Sequence, residues 1–260
     1  MKATGSLTRL LGGCAQGSGS LAGSQACFAA VRSVPLCTSA AAASTSTVAT
    51  QAVQQAQPLA PANIWCIGRN YAEHARELGN DVPSKPMIFL KAGSSAVKPG
   101  VLRLPEWSAD VHHEVELAVE LGPDLAPVRA AVALDLTARD VQAELKQQQW
   151  PWTLAKSFRG STPLGPAFSL KGVDPASLTL TLDVNGVRRQ TGRTADMVFD
   201  LATQVSYVRT HFPVMPGDVL LTGTPPGVSA MRPGDEIVAR VLGHEGKALS
   251  EAVWRVCASN

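Results

Sequence analysis

The chain has 260 residues, 45% of them hydrophobic, and a formal net charge of +2. All of the excess positive charge lies in the first sixty positions, so residues 61–260 carry a net charge of −1, which excludes the basic balance of a nucleic-acid-binding surface. No apolar run is long enough to span a bilayer. Three of the five cysteines (Cys14, Cys27, Cys37) also fall in the first sixty residues, leaving only Cys66 and Cys257 and no disulfide framework.

Residues 1–60 are rich in Ala, Ser, Thr, Gly and Gln, carry Lys2, Arg9 and Arg32, and contain no acid; the first is Glu73. Such a stretch buries too little apolar surface to offset its ordering entropy. Leu7, Leu10 and Leu11 can share one helical face with Lys2 and Arg9 elsewhere, so residues 1–60 read as an organelle transit peptide, mitochondrial, with a plastid as the alternative. A secretory signal is disfavoured because no continuous apolar core follows the first basic residues. Residues 61–260 are enough for one sizeable core.

Asn63–Ile67 reads as a strand ended by Gly68. Ala72–Leu78 has helical composition and places His74 and Glu77 three apart on one face, with Gly79-Asn80 as its stop. Pro83 and Pro86 keep the next segment extended, and Met87–Lys91 forms a second strand. Val111–Glu120 alternates, so Glu114 and Glu116 point to one face and Val115, Leu117 and Val119 to the other. Two carboxylates side by side repel: one pKa rises, or something positive sits between them. A hard divalent cation such as Mg²⁺, Mn²⁺ or Ca²⁺ suits that position, although a half-exposed antiparallel strand gives the same alternation.

Val128–Asp135 is apolar and leads to a helix expected over Ala138–Lys146, capped by Thr137 or Asp135. Arg139 and Asp140 read as a structural ion pair, and Trp150 and Trp152 as packing or dimer contacts. Lys156 follows among uncharged residues. Leu178–Val184 alternates as a strand, Asn185-Gly186 is a hairpin signal, and 188–192 is the return strand. Thr194 is expected to cap a helix from Ala195 or Asp196 to Thr210. Two Pro-Gly-Asp turns precede the strands Val219–Thr222 and Glu236–Leu242, and Ala248–Cys257 forms the last. Many short strands with few helices give a β-rich α+β fold.

His74, Glu77, Lys91, Glu114, Glu116, Asp135, Lys156, Gln190, Thr222 and Thr224 are the polar residues set among apolar or glycine-rich neighbours. Three carboxylates from two segments suit an octahedral cation that keeps positions open for substrate. His beside Glu suits a base with an orienting partner, and lysines in apolar settings suit an anionic oxygen. His112 and His113 do not make a zinc pair, because adjacent strand residues face opposite sides. His211 and His244 have no partner in the sequence.

Seven motifs occur in order: G-R-N-Y-x-x-H-x-x-E at 68–77, F-L-K at 89–91, H-H-E-x-E-L at 112–117, D-x-T-A-R-D-x-Q at 135–142, P-W-T-x-A-K-S-F at 151–158, N-G-x-x-R-Q at 185–190 and L-T-G-T-P-x-G-V at 221–228. Together they resemble the fumarylacetoacetate hydrolase family, most closely its small acylpyruvase/oxaloacetate decarboxylase branch. The resemblance implies a mixed β-roll or sandwich, usually a homodimer. It implies Mg²⁺ or Mn²⁺ on Glu114, Glu116 and Asp135, a water-activating dyad of His74 and Glu77, and Lys156 on the oxyanion or enolate. Lys91 and Thr224 are placed near the substrate, with Arg69, Gln142 and Gln190 lining the pocket. The implied activity is metal-dependent hydrolysis of acylpyruvates and decarboxylation of oxaloacetate. The alternatives are a 2-oxo-acid tautomerase or isomerase, or a catalytically impaired homologue. The last is motivated by the 117–134 segment, roughly ten residues shorter than the family pattern. Within it Ala126–Leu134 must do the work of both a helix and a strand; nine residues at about 3.3 Å each can cross a domain edge but cannot include a helix as well. Either the helix is lost and Asp135 still reaches the cation, or the site is crippled.

Overall fold

The computed structural model describes residues 58–258; the leader expected over 1–60 lies almost wholly outside them. The chain is β-rich with few helices. A six-stranded mixed sheet has the order Phe168–Ser169, Pro127–Leu134, Val115–Leu121, Val219–Leu221, Asn63–Gly68, Met87–Ala92. Neighbours are antiparallel except Asn63–Gly68 beside Val219–Leu221, which run parallel. A five-stranded sheet has the order Val187–Arg193, Thr179–Val184, Glu236–Leu242, Ala248–Cys257, Gly100–Arg103.

Alternation decides how the layers meet. Val115, Leu117 and Val119 share one core with Val132 and Leu134 of the same sheet and with Leu180, Leu182, Ile237, Ala239, Val241 and Trp254 of the other, as in a sandwich. On that same face Trp65, Ile67 and Leu220 lie under Val205 and Val208 of the Leu201–His211 helix. The opposite face carries Ile64, Cys66, Ala118, Ala131 and Ala133. The register puts Glu116 opposite Ala133, Lys91 opposite Ile64 and Phe89 opposite Cys66, so the polar Glu116 and Lys91 share that second face with Phe89. Leu59 is buried in it as well, so the folded body reaches back past residue 61. No helix among the described residues is long and apolar enough to cross a membrane.

The hairpin turn forms as expected: Asn185 (φ 52) and Gly186 (φ 78) are both left-handed, the requirement of a type I′ turn. Four expectations need correction. The 111–120 strand breaks at Glu114, between Val111–His113 and Val115–Leu121. The helix after Asp135 runs Arg139–Gln147 with Ala138 at its N-cap and no side-chain cap, because Thr137 and Ala138 are taken up by pairing with 111–113. Thr194 starts only a short 3₁₀ turn, Thr194–Asp196, and the helix begins at Leu201 under an Asp200 cap. There the Asn70 side chain binds both Phe199 N and Phe199 O, and Val198 N donates to Asn70 O, holding 198–199 out of the helix. Arg139 does not pair with Asp140: Asp140 accepts from Ser108, Ala109 N and Val141 N, and Arg139 turns to Glu114 and Gln142.

In the short segment the helix is lost and Asp135 stays beside Glu114. Pro127–Leu134 is a single strand hydrogen-bonded to Val115–Leu121, with no helix between them. It delivers Asp135 opposite Glu114, whose carbonyl accepts from Asp135 N at 2.9 Å.

Candidate metal centre and active site

The site forms where strands end together. Asn63–Gly68, Val219–Leu221 and Pro127–Leu134 finish at the edge where Val115–Leu121 begins. That edge brings Glu114, Glu116 and Asp135 together, each buried, with one ligand oxygen from each within 4.8 Å of the others. Such a cluster can hold a metal ion.

The surrounding charges are arranged around these acids. Lys156 Nζ bridges Glu114 Oε2 at 2.8 Å and Asp135 Oδ2 at 2.6 Å. Lys91 Nζ donates to Asp135 Oδ1 at 2.7 Å and to Leu136 O at 3.3 Å. Arg139 donates to the other oxygen of Glu114. Burial alone would raise the Glu114 pKa, but Lys156 and Arg139 more than offset it and hold the carboxyl well below the usual range. Lys156 is likewise disfavoured by burial, yet Asp135 and Glu114 push its pKa up and keep it charged. Glu116 differs. It accepts only the Gly223 amide, at 2.7 Å, and appears in no ion pair among the described residues. Burial, then the Asp135 charge, push its pKa well above the ordinary glutamate value. The cation expected between the two glutamates instead joins Glu114 to Asp135, and the rise on Glu116 comes first from burial and Asp135 rather than from Glu114.

Gly223 has to be glycine for this contact. Its φ is +100, and a Cβ there would sit 2.6 Å from Asn70 Cβ, while Asn70 Nδ2 donates to the Thr222 carbonyl at 2.8 Å.

The Ala72–Glu77 helix stands over the acids. His74 is buried, with Nδ1 3.5 Å from Glu77 Oε2 and no hydrogen-bond partner for Nδ1 among the described residues. Burial lowers its pKa, against the raising effects of Glu114 and Glu77, so the ring is held neutral. The Glu77 carboxylate accepts from Gly227 N at 3.1 and 3.2 Å, tying the helix to the 223–227 loop. The cavity among these groups is about 40 Å³ and is lined by Arg69, His74, Glu114, Glu116, Asp135, Arg139, Gln142, Lys146, Lys156 and Thr224, with the apolar Phe89, Met87 and Trp152.

Not every expected pocket residue lines it. Lys91 is completely buried behind Asp135, and Gln190 behind Thr224, so neither faces the cavity. Arg139 and Lys146 were missed as site residues, although Arg139, Gln142 and Lys146 at helical spacing share a face. Lys146 Nζ lies 5.3 Å from the Trp152 ring centroid. Its pKa is lowered by burial and by the charges of Arg139 and Arg69, and all three cations line the cavity. Cys66 is buried beneath the site, and burial raises its pKa, which removes it as a nucleophile. A larger cavity, about 830 Å³, lies elsewhere, along the Leu201–His211 helix, and of the polar residues singled out in the sequence only Thr222 lines it. His211 does find a partner: it stacks on Tyr207 at 4.1 Å and bonds its carbonyl.

Comparison with known proteins agrees with this picture. The chain is 43% identical over 195 residues to an oxaloacetate tautomerase of Escherichia coli, covering 69% of this chain and 88% of that protein. It is 42% identical over 193 residues to the mitochondrial oxaloacetate tautomerase of Bos taurus, covering 70% and 87%. Among solved structures, fumarylpyruvate hydrolase from Pseudomonas aeruginosa in complex with Mn²⁺ and pyruvate superposes with a TM-score of 0.71 at 30% identity, over 76% of this chain and 91% of that one. Residues 63–253 match the family model described as fumarylacetoacetate (FAA) hydrolase C-terminal, and the chain belongs to that family.

Proposed function

We propose that the protein is a metal-dependent enzyme that takes a 2-oxo dicarboxylate by its pyruvoyl end and interconverts its keto and enol forms, with oxaloacetate as substrate. The observation that carries this reading is the convergence of three buried acids, of which Glu116 has no ion-pair partner among the described residues. All-oxygen donors of this kind suit Mg²⁺ or Mn²⁺. Glu114, Glu116 and Asp135 would hold the ion, which when bound acts as a Lewis acid on the 2-oxo group and orients it.

The chain's own groups supply the rest. Three acids face three bases (Lys91, Lys156 and Arg139). A divalent ion would therefore leave these six groups with a surplus of two positive charges, to which Arg69 and Lys146 of the cavity lining add, so the centre suits an anionic substrate such as a dicarboxylate. Arg139, Lys146 and Arg69 in the cavity lining suit the distal carboxylate, and Gln142 is oriented by Arg139 Nη1 at 2.8 Å. Neutral His74 takes a proton from the carbon beside the 2-oxo group, with Glu77 steadying the imidazolium. The C–H electron pair passes to the 2-oxo oxygen, whose charge Lys156 stabilises, and the same proton returned to that oxygen gives the enol. A substrate is larger than the present cavity, so the Ala72–Glu77 helix must swing aside for entry.

Hydrolysis of acylpyruvates is the second reading. It is favoured by the His74–Glu77 pair, which is suited to activating water, and by the likeness to a fumarylpyruvate hydrolase. The tautomerase reading stands first because relatives bearing that name are 42–43% identical, against 30% for the hydrolase. Decarboxylation of oxaloacetate would pass through the same enolate. The test is to follow ultraviolet decay of enol-oxaloacetate with Mg²⁺ and with EDTA, alongside pyruvate release from acetylpyruvate and oxaloacetate. Enol decay that stops in EDTA and outruns pyruvate release supports tautomerisation. Turnover indifferent to EDTA sinks both readings, and faster pyruvate release from acetylpyruvate favours the second. The proposal extends to a mitochondrial homodimer. A fluorescent fusion to residues 1–60 tests the address, and sedimentation of the purified protein tests the assembly.

A further inference from the structure

Gln190, His113 and Ser229 have no task in the chemistry above, yet they form a line of hydrogen bonds, buried at Gln190 and His113 and half-buried at Ser229, that ends at the cavity. Gln190 is completely buried in a strand whose neighbours Arg188, Arg189 and Thr191 are exposed. The 223–227 loop packs against that strand so closely that a Cβ on Gly227 (φ +96) would lie 2.1 Å from Arg189 O.

Backbone groups fix the polarity of the line. Val115 N–H can only donate, and it meets Gln190 Oε1 at 3.1 Å. The Pro225 carbonyl can only accept, and it lies 2.8 Å from Gln190 Nε2. The amide therefore has one orientation, independent of how its atoms are assigned. Gln190 Oε1 also faces His113 Nδ1 at 2.9 Å, so Nδ1 carries the hydrogen. In a neutral ring Nε2 is then the acceptor for the Ser229 hydroxyl, at 2.8 Å. The second amide hydrogen of Gln190 goes to Thr224 Oγ1 at 2.8 Å. Thr224 accepts there, and its own hydrogen has Pro225 O only at 3.5 Å, too long for a good bond. Its other direction is the cavity, which Thr224 lines.

We propose that Gln190, His113 and Ser229 are positioning residues that hold the Thr224 hydroxyl as a hydrogen-bond donor into the cavity, where it meets a carboxylate oxygen of the substrate. A free hydroxyl can present either its hydrogen or a lone pair, and a lone pair repels an anion. Fixing the donor in advance removes the reorientation that binding would otherwise require. This rests on the 2-oxo-acid reading for its substrate but not for its hydrogen-bond polarity.

Two measurements test it. Nitrogen-15 NMR of the full chain without substrate reports the His113 tautomer: hydrogen on Nδ1 with Nε2 bare is expected, and hydrogen on Nε2 with Nδ1 bare overturns the proposal. In Mg²⁺-supported kinetics with oxaloacetate, His113→Leu should raise KM about tenfold while kcat changes less than about threefold, and His113→Asn, whose amide nitrogen stands where Nδ1 does, should restore KM to within about threefold. In a Thr224→Val background His113→Leu should add nothing. Additive effects, or equal damage by the Asn and Leu variants, would mean a merely structural role and overturn the proposal. Ser229→Ala, at the half-buried far end, repeats the comparison if His113→Leu does not fold. A wild-type protein inert to oxaloacetate would instead sink the proposed function, and the tautomer would still decide the polarity.

Discussion

Glu116→Gln isolates the one acid of the cluster without a cationic partner. Burial and Asp135 raise the Glu116 pKa, so in metal-free protein the folded state keeps a proton that the unfolded chain releases. The sign follows from linkage: stability is full below the ordinary glutamate range and is lost as pH rises towards the raised value. One retained proton gives a slope of about 1.4 kcal/mol per pH unit, or roughly 3–5 °C in Tm for a folded body of this size. Gln keeps the carbonyl oxygen that accepts from Gly223 N and cannot ionise, so the variant should lose this slope. Mg²⁺ displaces the proton, so saturating Mg²⁺ should flatten the wild-type curve and shift the variant little. The assay is thermal unfolding of both proteins from pH 5 to 8, in EDTA and in Mg²⁺. A wild-type-minus-variant difference that does not change with pH, or an equal Mg²⁺ shift in both proteins, would refute the reasoning.

Further perturbations act on the groups around that centre. His74→Ala should lower kcat by about 10²–10⁴ and leave the Mg²⁺-induced Tm shift intact; loss of that shift would make His74 part of the metal site. Because burial lowers the His74 pKa, the base is kept as pH falls, and the acid limb of kcat/KM should lie below the ordinary histidine range. A limb above that range contradicts the assignment. Lys91→Met leaves a buried carboxylate without one of its cations and should cost about 3–5 kcal/mol in urea unfolding, partly restored by Mg²⁺. Gly223→Ala forces a Cβ against Asn70 at positive φ and should cost more than about 1 kcal/mol, with weakened Mg²⁺ binding because the Glu116 acceptor contact moves with it. Unchanged Mg²⁺ affinity would separate that glycine from the site.

Much of the architecture was legible because it follows from period-two alternation and turn chemistry. Leu178, Leu180, Leu182 and Val184 all point inward as their spacing requires, and Asn185-Gly186 turns the hairpin. Helix starts were less legible, because long-range partners decide them: the Asn70 side chain, 129 positions away, holds 198–199 out of the helix, and pairing with 111–113 claims Thr137 and Ala138. The parallel pairing of Asn63–Gly68 with Val219–Leu221, which aligns the strand ends that carry the site, leaves no local mark in the sequence. The same limit applies to side chains. The residue types flagged Glu114, Glu116 and Asp135, but that Glu114 takes Lys156 and Arg139 while Glu116 has neither depends on the third dimension. So does the retreat of Lys91 and Gln190 behind the residues that line the cavity.

The most direct measurement is an anomalous difference map from crystals of the protein grown with Mn²⁺. A single strong peak within coordinating distance of oxygens from Glu114, Glu116 and Asp135 is predicted. No peak there at saturating Mn²⁺, or one held by other residues, would contradict the account.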